Sequence, residues 1–445
     1  MNKKTTLAIL TCLFLSAVSA YAQTNPDFWQ TWRGPDCTGV SPNGNPPVKW
    51  SETENIRWKV ALTGDNSNST PIVWDDKIIF QTAVKTDKTG QPETTSQENQ
   101  AGQVRQRMGI SSPTNFYKFN LVCLNRKTGE TLWEQTVTEA LPHQGHHPDH
   151  GFASFSPVTD GKYIWATFGS RGVYCCDMNG KKIWSKELPK LTTMFGEGGS
   201  PAIAGDALIV VADHQADSAI FAFDKNTGDI LWEKPRDEDT THATPIPAEV
   251  DGKLQVIVSA PNKIRSYDVK NGDVIWECGG MTQNVIPSPV LGNGVIYCTS
   301  GFRGSSLMAI KLGRTGDITG SDAILWEVKE ATPYVPSPLL YKDRIYVFSV
   351  NDEIVSCYNA DTGRSNFVKQ KLEEMKGVYA SPVGAAERIY CVGRNGVTYV
   401  LKASDELEVL AVNKLDDPID CSPVIAGSEL YLKGKKHLYC IAESK

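Results

Sequence analysis

The side chains best equipped for chemistry lie in a few short stretches. Cys175 and Cys176 are adjacent thiols, the arrangement of a vicinal disulfide. His143, His146, His147 and His150 place four of the seven histidines within eight residues. Imidazoles this dense could bind zinc or another transition metal, although no fixed ligand spacing recurs and a solvated polar loop is the plainer reading. Arg171, Arg303 and Arg394 could form a patch for a carboxylate, a phosphate or an acidic peptide; solvated turn residues are the alternative. Glu197 and His242 could hold a ligand or metal, and satisfying buried polar groups would account for them equally well. Which of these groups meet depends on the elements that carry them.

Those elements are set by a repeat. Ser/Thr-Pro recurs at Thr70-Pro71, Ser156-Pro157, Ser200-Pro201, Thr244-Pro245, Ser288-Pro289, Ser337-Pro338, Ser381-Pro382 and Ser422-Pro423. Most steps are near 44 residues, and the first, of 86, contains an insertion at 85–116. Eight units at this period indicate a propeller. Within each unit short strands of period two are broken by Gly and Asn turns, the pattern of four-stranded antiparallel blades. Thr-Gly and Asn-Gly pairs supply the backbone freedom of tight hairpins. A tryptophan marks the fourth strand at Trp133, Trp184, Trp232, Trp276 and Trp326, with Phe367 and Leu410 in its place later. Its ring is expected to fill the wedge between blades while its N–H finds a backbone acceptor. The eighth unit ends after a third strand, and an orphan strand bearing Trp58 precedes the first. Pairing them closes the ring and removes exposed edges. The expectation is an all-β, eight-bladed propeller, divided into 1–22, 23–55 as an N-terminal extension, and 56–445 as the propeller.

The repeat places the reactive candidates. Cys175 falls where other third strands have Cys123, Ala222, Ser266, Ala309, Cys357, Val400 and Cys440. Cys176 falls where they have Leu124, Phe223, Tyr267, Ile310, Tyr358, Leu401 and Ile441. Both therefore read as repeat core positions. Tight turns make one face monotonous. The irregular face receives the insertion, the loop from His143 to Phe152 and the three arginines, so a partner or ligand is expected there. Residues three before each proline should rim the central channel: Asn68, Ser154, Gly198, His242, Ile286, Val335, Tyr379 and Asp420. Glu197 lies one step further out. The insertion, rich in Gln, Thr and Ser with Arg105 and Arg107, reads as a mobile flap or partner-ordered segment.

The bulk properties limit the function classes. A formal net charge of −6 makes nucleic acid an unfavourable partner. Lys3 and Lys4, the apolar run from Leu7 to Val18 and Ala20-Tyr21-Ala22 read as a signal peptide. No stretch approaches the roughly 20 apolar residues of a membrane span. An exported, monomeric protein, periplasmic or extracellular and without a lipid anchor at Cys12, is expected. No C-x-x-C-H haem site is present.

The turn-to-tryptophan segments CLNRKTGETLW, AFDKNTGDILW and SYDVKNGDVIW resemble the tryptophan-docking motif of pyrroloquinoline-quinone (PQQ) repeat propellers. WRGPDCTGVSP at 32–42 is similar to the opening of secreted bacterial PQQ-like propellers of the BamB-like kind. The resemblance implies an interaction scaffold with a protein or cell-envelope partner, with a role in outer-membrane protein assembly. The related quinoprotein alcohol dehydrogenases imply an alternative: a dehydrogenase oxidising alcohols or sugars with PQQ and calcium, its cofactor stacked on a vicinal disulfide. No segment combines the Glu/Asn pair, Asp base and stacking Trp that this chemistry needs. The expectation is a non-enzymatic scaffold with no assigned cofactor.

Overall fold

Short alternating strands and left-handed turns fold locally into four-stranded antiparallel sheets, and eight of these form the molecule. The computed structural model describes residues 28–443 apart from 66, 93–99, 350 and 352, so the signal peptide expected at 1–22 lies outside the described residues. Blade 1 runs through Ile72–Trp74, Lys77–Thr89, Asn115–Asn125 and Thr131–Ala140. The next six blades follow in chain order. Blade 8 takes three strands from the C-terminus and its fourth, Ile56–Ala61, from the N-terminus, with Trp58 opposite Cys440. The ring is closed by antiparallel pairing of the two ends, as the orphan tryptophan strand requires.

Both faces of each blade are buried against neighbours, so odd and even positions of a strand belong to different cores. Cys175 packs with Trp165 and Leu208 between blades 2 and 3. Cys176 packs with Ile164 and Cys123 between blades 1 and 2. The two thiols point to opposite sides of one strand, and all ten described cysteines are free. Burial pushes the Cys176 thiol up to about 12, which removes its nucleophilic form at neutral pH.

Two devices hold adjacent blades together. Near the axis, the backbone N–H of the Ser/Thr preceding proline in each of blades 1–7 donates to the hydroxyl of the corresponding residue in the next blade. These bonds run Thr70 to Ser156 at 3.0 Å, then through Ser200, Thr244, Ser288, Ser337 and Ser381 to Ser422 at 2.8–3.1 Å. A hydroxyl is therefore required at each of these seven acceptor positions, and proline fixes the backbone that presents it. At the rim, Trp58, Trp133, Trp184, Trp232 and Trp326 donate Nε1–H to a carbonyl of the following blade at 2.8–3.2 Å. A β-bulge beside the tryptophan position shifts the register between third and fourth strands in blades 1–7, for example at Cys175/Cys176 and Ser266/Tyr267. The bulge adds local twist to the outer strand.

Trp276 departs from this pattern. Its Nε1–H donates to Gln255 Oε1 within its own blade at 3.3 Å. The following blade has an enlarged turn whose segment Gly316–Asp317 adds a fifth strand, parallel to Trp276 and Glu277. That turn displaces the usual carbonyl acceptor. The 49-residue step from Ser288 to Ser337 is its trace in the sequence.

The insertion is largely built rather than loose. The second and third strands of blade 1 continue pairing to Thr89 and Asn115, and helix α1, Gln100–Arg107, follows within it. Arg105 is buried; it donates to Gln144 Oε1 at 3.1 Å and to the Thr193 carbonyl. The described part of the segment thus corrects the expectation of a mobile flap: hairpin pairing and a buried guanidinium anchor it to the propeller.

Candidate functional site

The first strands converge on the axis, and the loops entering them line a central cavity of about 300 Å³. All eight residues three before the prolines contribute to its wall, as the repeat geometry predicts. The cavity opens on the irregular face. Its mouth carries half-buried aromatic rings: Phe302 stacks on Tyr334 at 4.8 Å, and Phe195 meets Phe302 edge-on at 6.4 Å. Asn284 Nδ2 donates to Tyr334 Oη at 2.7 Å and fixes that ring.

The other end is closed by the N-terminal extension, whose role was not legible in the sequence. Trp29 pairs with Val73, Val40 bridges to Gly384, and Asn45 N–H donates to Gly427 O, so the segment crosses the face of the tight turns. Arg33 inserts from it, 2% exposed. Its guanidinium donates to the carbonyls of Pro338 and Pro382, each at 2.6 Å, and to Thr38 O at 3.0 Å. Burial lowers Arg33 to about 9. Gly39 lies against this group at φ +82°; a Cβ there would stand 2.6 Å from Arg33 Cζ. Trp32, beside Arg33, forms part of the cavity wall. The motif WRGPDCTGVSP is a plug.

The three arginines do not make a common anion patch. Arg171 is buried and pairs with Glu197 at 2.9 Å, while Glu197 also accepts from Ser170 N–H and Oγ–H. Arg394 pairs with Asp149 at 2.8 Å and Asp420 at 2.7 Å, and lies 4.0 Å over the Tyr379 ring. Tyr379 Oη donates to Asp149 at 3.2 Å. Against partial burial, the two carboxylates raise Arg394 above its ordinary value. Arg303 alone is exposed, with Gln283 3.4 Å away. Two of the three are committed to carboxylates because their turns face acidic neighbours, which linear sequence does not display.

The histidines separate as well. His143 Nε2 bonds Leu191 O at 2.9 Å, His147 Nδ1 accepts from Asp149 N–H at 3.1 Å, and His150 Nδ1 accepts from Gly151 N–H at 2.8 Å. His146 Nδ1 lies 2.8 Å from His147 O. Only His147, His150 and His242 reach the central cavity. His150 and His242 have ring centroids 6.4 Å apart. Burial pushes His150 down to about 3 and His242 down to about 4, so both are neutral at physiological pH. Among the described residues no group of three His, Cys, Asp or Glu is placed to hold a metal ion. The loop organises the mouth: its Asp149 reaches over to Tyr379 and Arg394 of blade 7.

A family model described as "Outer membrane protein assembly factor BamB" matches residues 118–368, more than half of the chain. The chain belongs to this family. Among solved structures, BamB from Moraxella catarrhalis is 13% identical with a TM-score of 0.54, covering 87% of this chain and 97% of that one. The computationally designed Ika8 protein is 12% identical with a TM-score of 0.50, covering 75% and 95%. A europium-containing methanol dehydrogenase, 13% identical, has a TM-score of 0.48 over 93% and 91%. Identities this low show the fold alone. Comparison with curated protein sequences gives no match.

For this BamB-family propeller, neither the carboxylates nearest the cavity nor the Cys175–Cys176 pair is available to a PQQ–calcium centre. Such a centre needs oxygen ligands free for a cation and a stacking partner for the quinone. Asp149 and Asp420 both engage Arg394, and Glu197 is held by Arg171 and Ser170. Cys175 and Cys176 sit inside blade 2 on opposite faces, away from the cavity wall.

Proposed function

We propose that this BamB-family propeller is an exported, non-enzymatic scaffold that binds a protein or cell-envelope partner through its irregular face. One observation carries the reading: the paired hairpin, helix α1 and the His143–His150 loop are anchored together on the face where the cavity opens. The opposite face consists of tight turns crossed by the Arg33 plug. Anchored irregular loops on a rigid scaffold suit recognition. The family's description as an outer-membrane protein assembly factor points the same way. Among the described residues no helix is long and apolar enough to cross a membrane.

The test is capture from a native envelope extract after cross-linking. In a shortened variant, residues 91–113 are replaced by a two-residue turn, since Gly90 N–H already bonds Thr114 O at 2.8 Å. A specific envelope protein is expected with the full chain, with at least tenfold less on the variant. Equal capture by both would overturn the reading. Turnover of an alcohol or aldose with PQQ, calcium and an artificial acceptor would overturn its non-enzymatic part.

A further inference from the structure

Beyond the cavity, the irregular face carries a groove that no motif announced. Phe195 and Phe302 belong both to the cavity wall and to an adjoining depression of about 80 Å³. That depression shares Asp239, Pro261, Gln283 and Arg303 with a third, more open one of about 370 Å³. The track crosses loops of blades 3–5, and Val104 of helix α1 lines one wall, so the insertion helps build it.

The charges of the groove differ from those around it. Residues 236–239 are all charged, and the protein itself satisfies the first three. Arg236 pairs with Asp213 at 2.7 Å, Glu238 with Arg265 at 2.7 Å, and Asp237 also with Arg265. Asp239 is exposed and forms no ion pair among the described residues. Of the three arginines on this face, Arg171 and Arg394 are bound to carboxylates. Arg303 is exposed, forms no ion pair among the described residues, and has only Gln283 Oε1 at 3.4 Å. One unpaired acid and one unpaired base therefore line the same two depressions without pairing with each other. Each is open to an opposite charge on a visiting molecule.

Between these charges the surface is apolar. Phe302 and Phe195 are half-buried, and Phe302 is held by stacking on Tyr334 at 4.8 Å. Met194 lines the inner depression and Met281 the outer one. Thioether side chains adapt to apolar groups of varied shape, while a fixed aromatic ring supplies an anchor. The base is rigid, because Glu238 also accepts from Asn262 N–H at 2.8 Å and Lys263 N–H at 3.1 Å. The walls are loops and a helix, so a visiting chain is read through its side chains and not by pairing with a strand edge.

We propose that this groove binds a segment of a protein partner in which an apolar side chain is flanked by one basic and one acidic residue. The apolar side chain packs on Phe302, Phe195 and the two methionines; the basic residue meets Asp239 and the acidic one Arg303. Exposed pairs of this kind set orientation and choice of partner more than raw affinity. The proposal rests on the scaffold reading above and names the chemistry that its partner carries.

Selection of phage-displayed random dodecapeptides on the purified full chain tests this. Enriched peptides are expected to share an aromatic or aliphatic residue between a basic and an acidic one. The best of them, as a synthetic peptide, should bind roughly tenfold more weakly to Asp239→Lys and to Arg303→Glu, with unchanged unfolding midpoints. Reversing the matching charge of the peptide should restore binding to the corresponding variant, which a merely structural effect of the substitution would not allow. No enriched consensus, a consensus that lacks either charge, indifference to both substitutions or failure of the reversed peptides would overturn the proposal. Envelope capture separates it from the scaffold reading. The Asp239→Lys/Arg303→Glu chain should capture several-fold less of the partner; undiminished capture would overturn the groove assignment and leave the scaffold reading standing.

Discussion

His150 and His242 face one another across the channel wall as neutral imidazoles, held there by burial and, for His150, by neighbouring histidines. In the unfolded chain both titrate near 6.5. Their folded values are depressed, so their contribution to stability is present above pH 6.5 and is lost as pH falls towards about 4, where the unfolded chain binds the protons first. The thermal midpoint is therefore expected to drop between pH 7 and pH 4, and the double variant His150→Asn/His242→Asn should flatten that drop. An unchanged slope would remove these residues as its cause. Residue identity alone did not reveal their state. The sequence placed His242 on the channel rim and Glu197 one step further out, but Glu197 proved to be committed to Arg171.

At the level of strands and turns, tryptophan docking depends on a glycine in the next blade. Gly272 has φ +74°, and a Cβ there would lie 2.6 Å from the Trp232 ring. Gly252 has the same φ, but nothing lies within 4 Å of its would-be Cβ. Gly252→Ala should cost about 1–2 kcal/mol from backbone conformation. Gly272→Ala should cost roughly 1–3 kcal/mol more from the clash. Urea unfolding of both variants reads the difference directly, and equal losses would show that the ring can move away. The sequence showed the turn and the tryptophan but not the distance between them. It also missed the Trp276 exception, which needed the fold of the following enlarged turn.

Closure is a property of the whole ring. A chain beginning at residue 62 lacks the strand Ile56–Ala61 and leaves His437–Ile441 as an exposed edge. It is expected to associate or aggregate. A chain beginning at residue 51 keeps the strand but loses the Arg33 plug; it should stay closed and monomeric with a lower unfolding midpoint. Size-exclusion chromatography and thermal denaturation distinguish the two. If the shorter chain remained monomeric at full stability, strand pairing would not be what secures the ring.

The sequence by itself determined the eight blades, the strand order within them, the closure through Trp58, the channel rim and the core placement of Cys175 and Cys176. These follow from local period and from repetition, because equivalent positions in successive repeats meet equivalent surroundings. Tertiary structure decided whatever breaks the repeat. Arg33 finds its carbonyl acceptors 305 and 349 residues away. Asp149 meets Tyr379 across 230 residues, and the groove is assembled from loops of several blades with helix α1. Such contacts join segments that occur once in the chain, so no second copy within the sequence could reveal them.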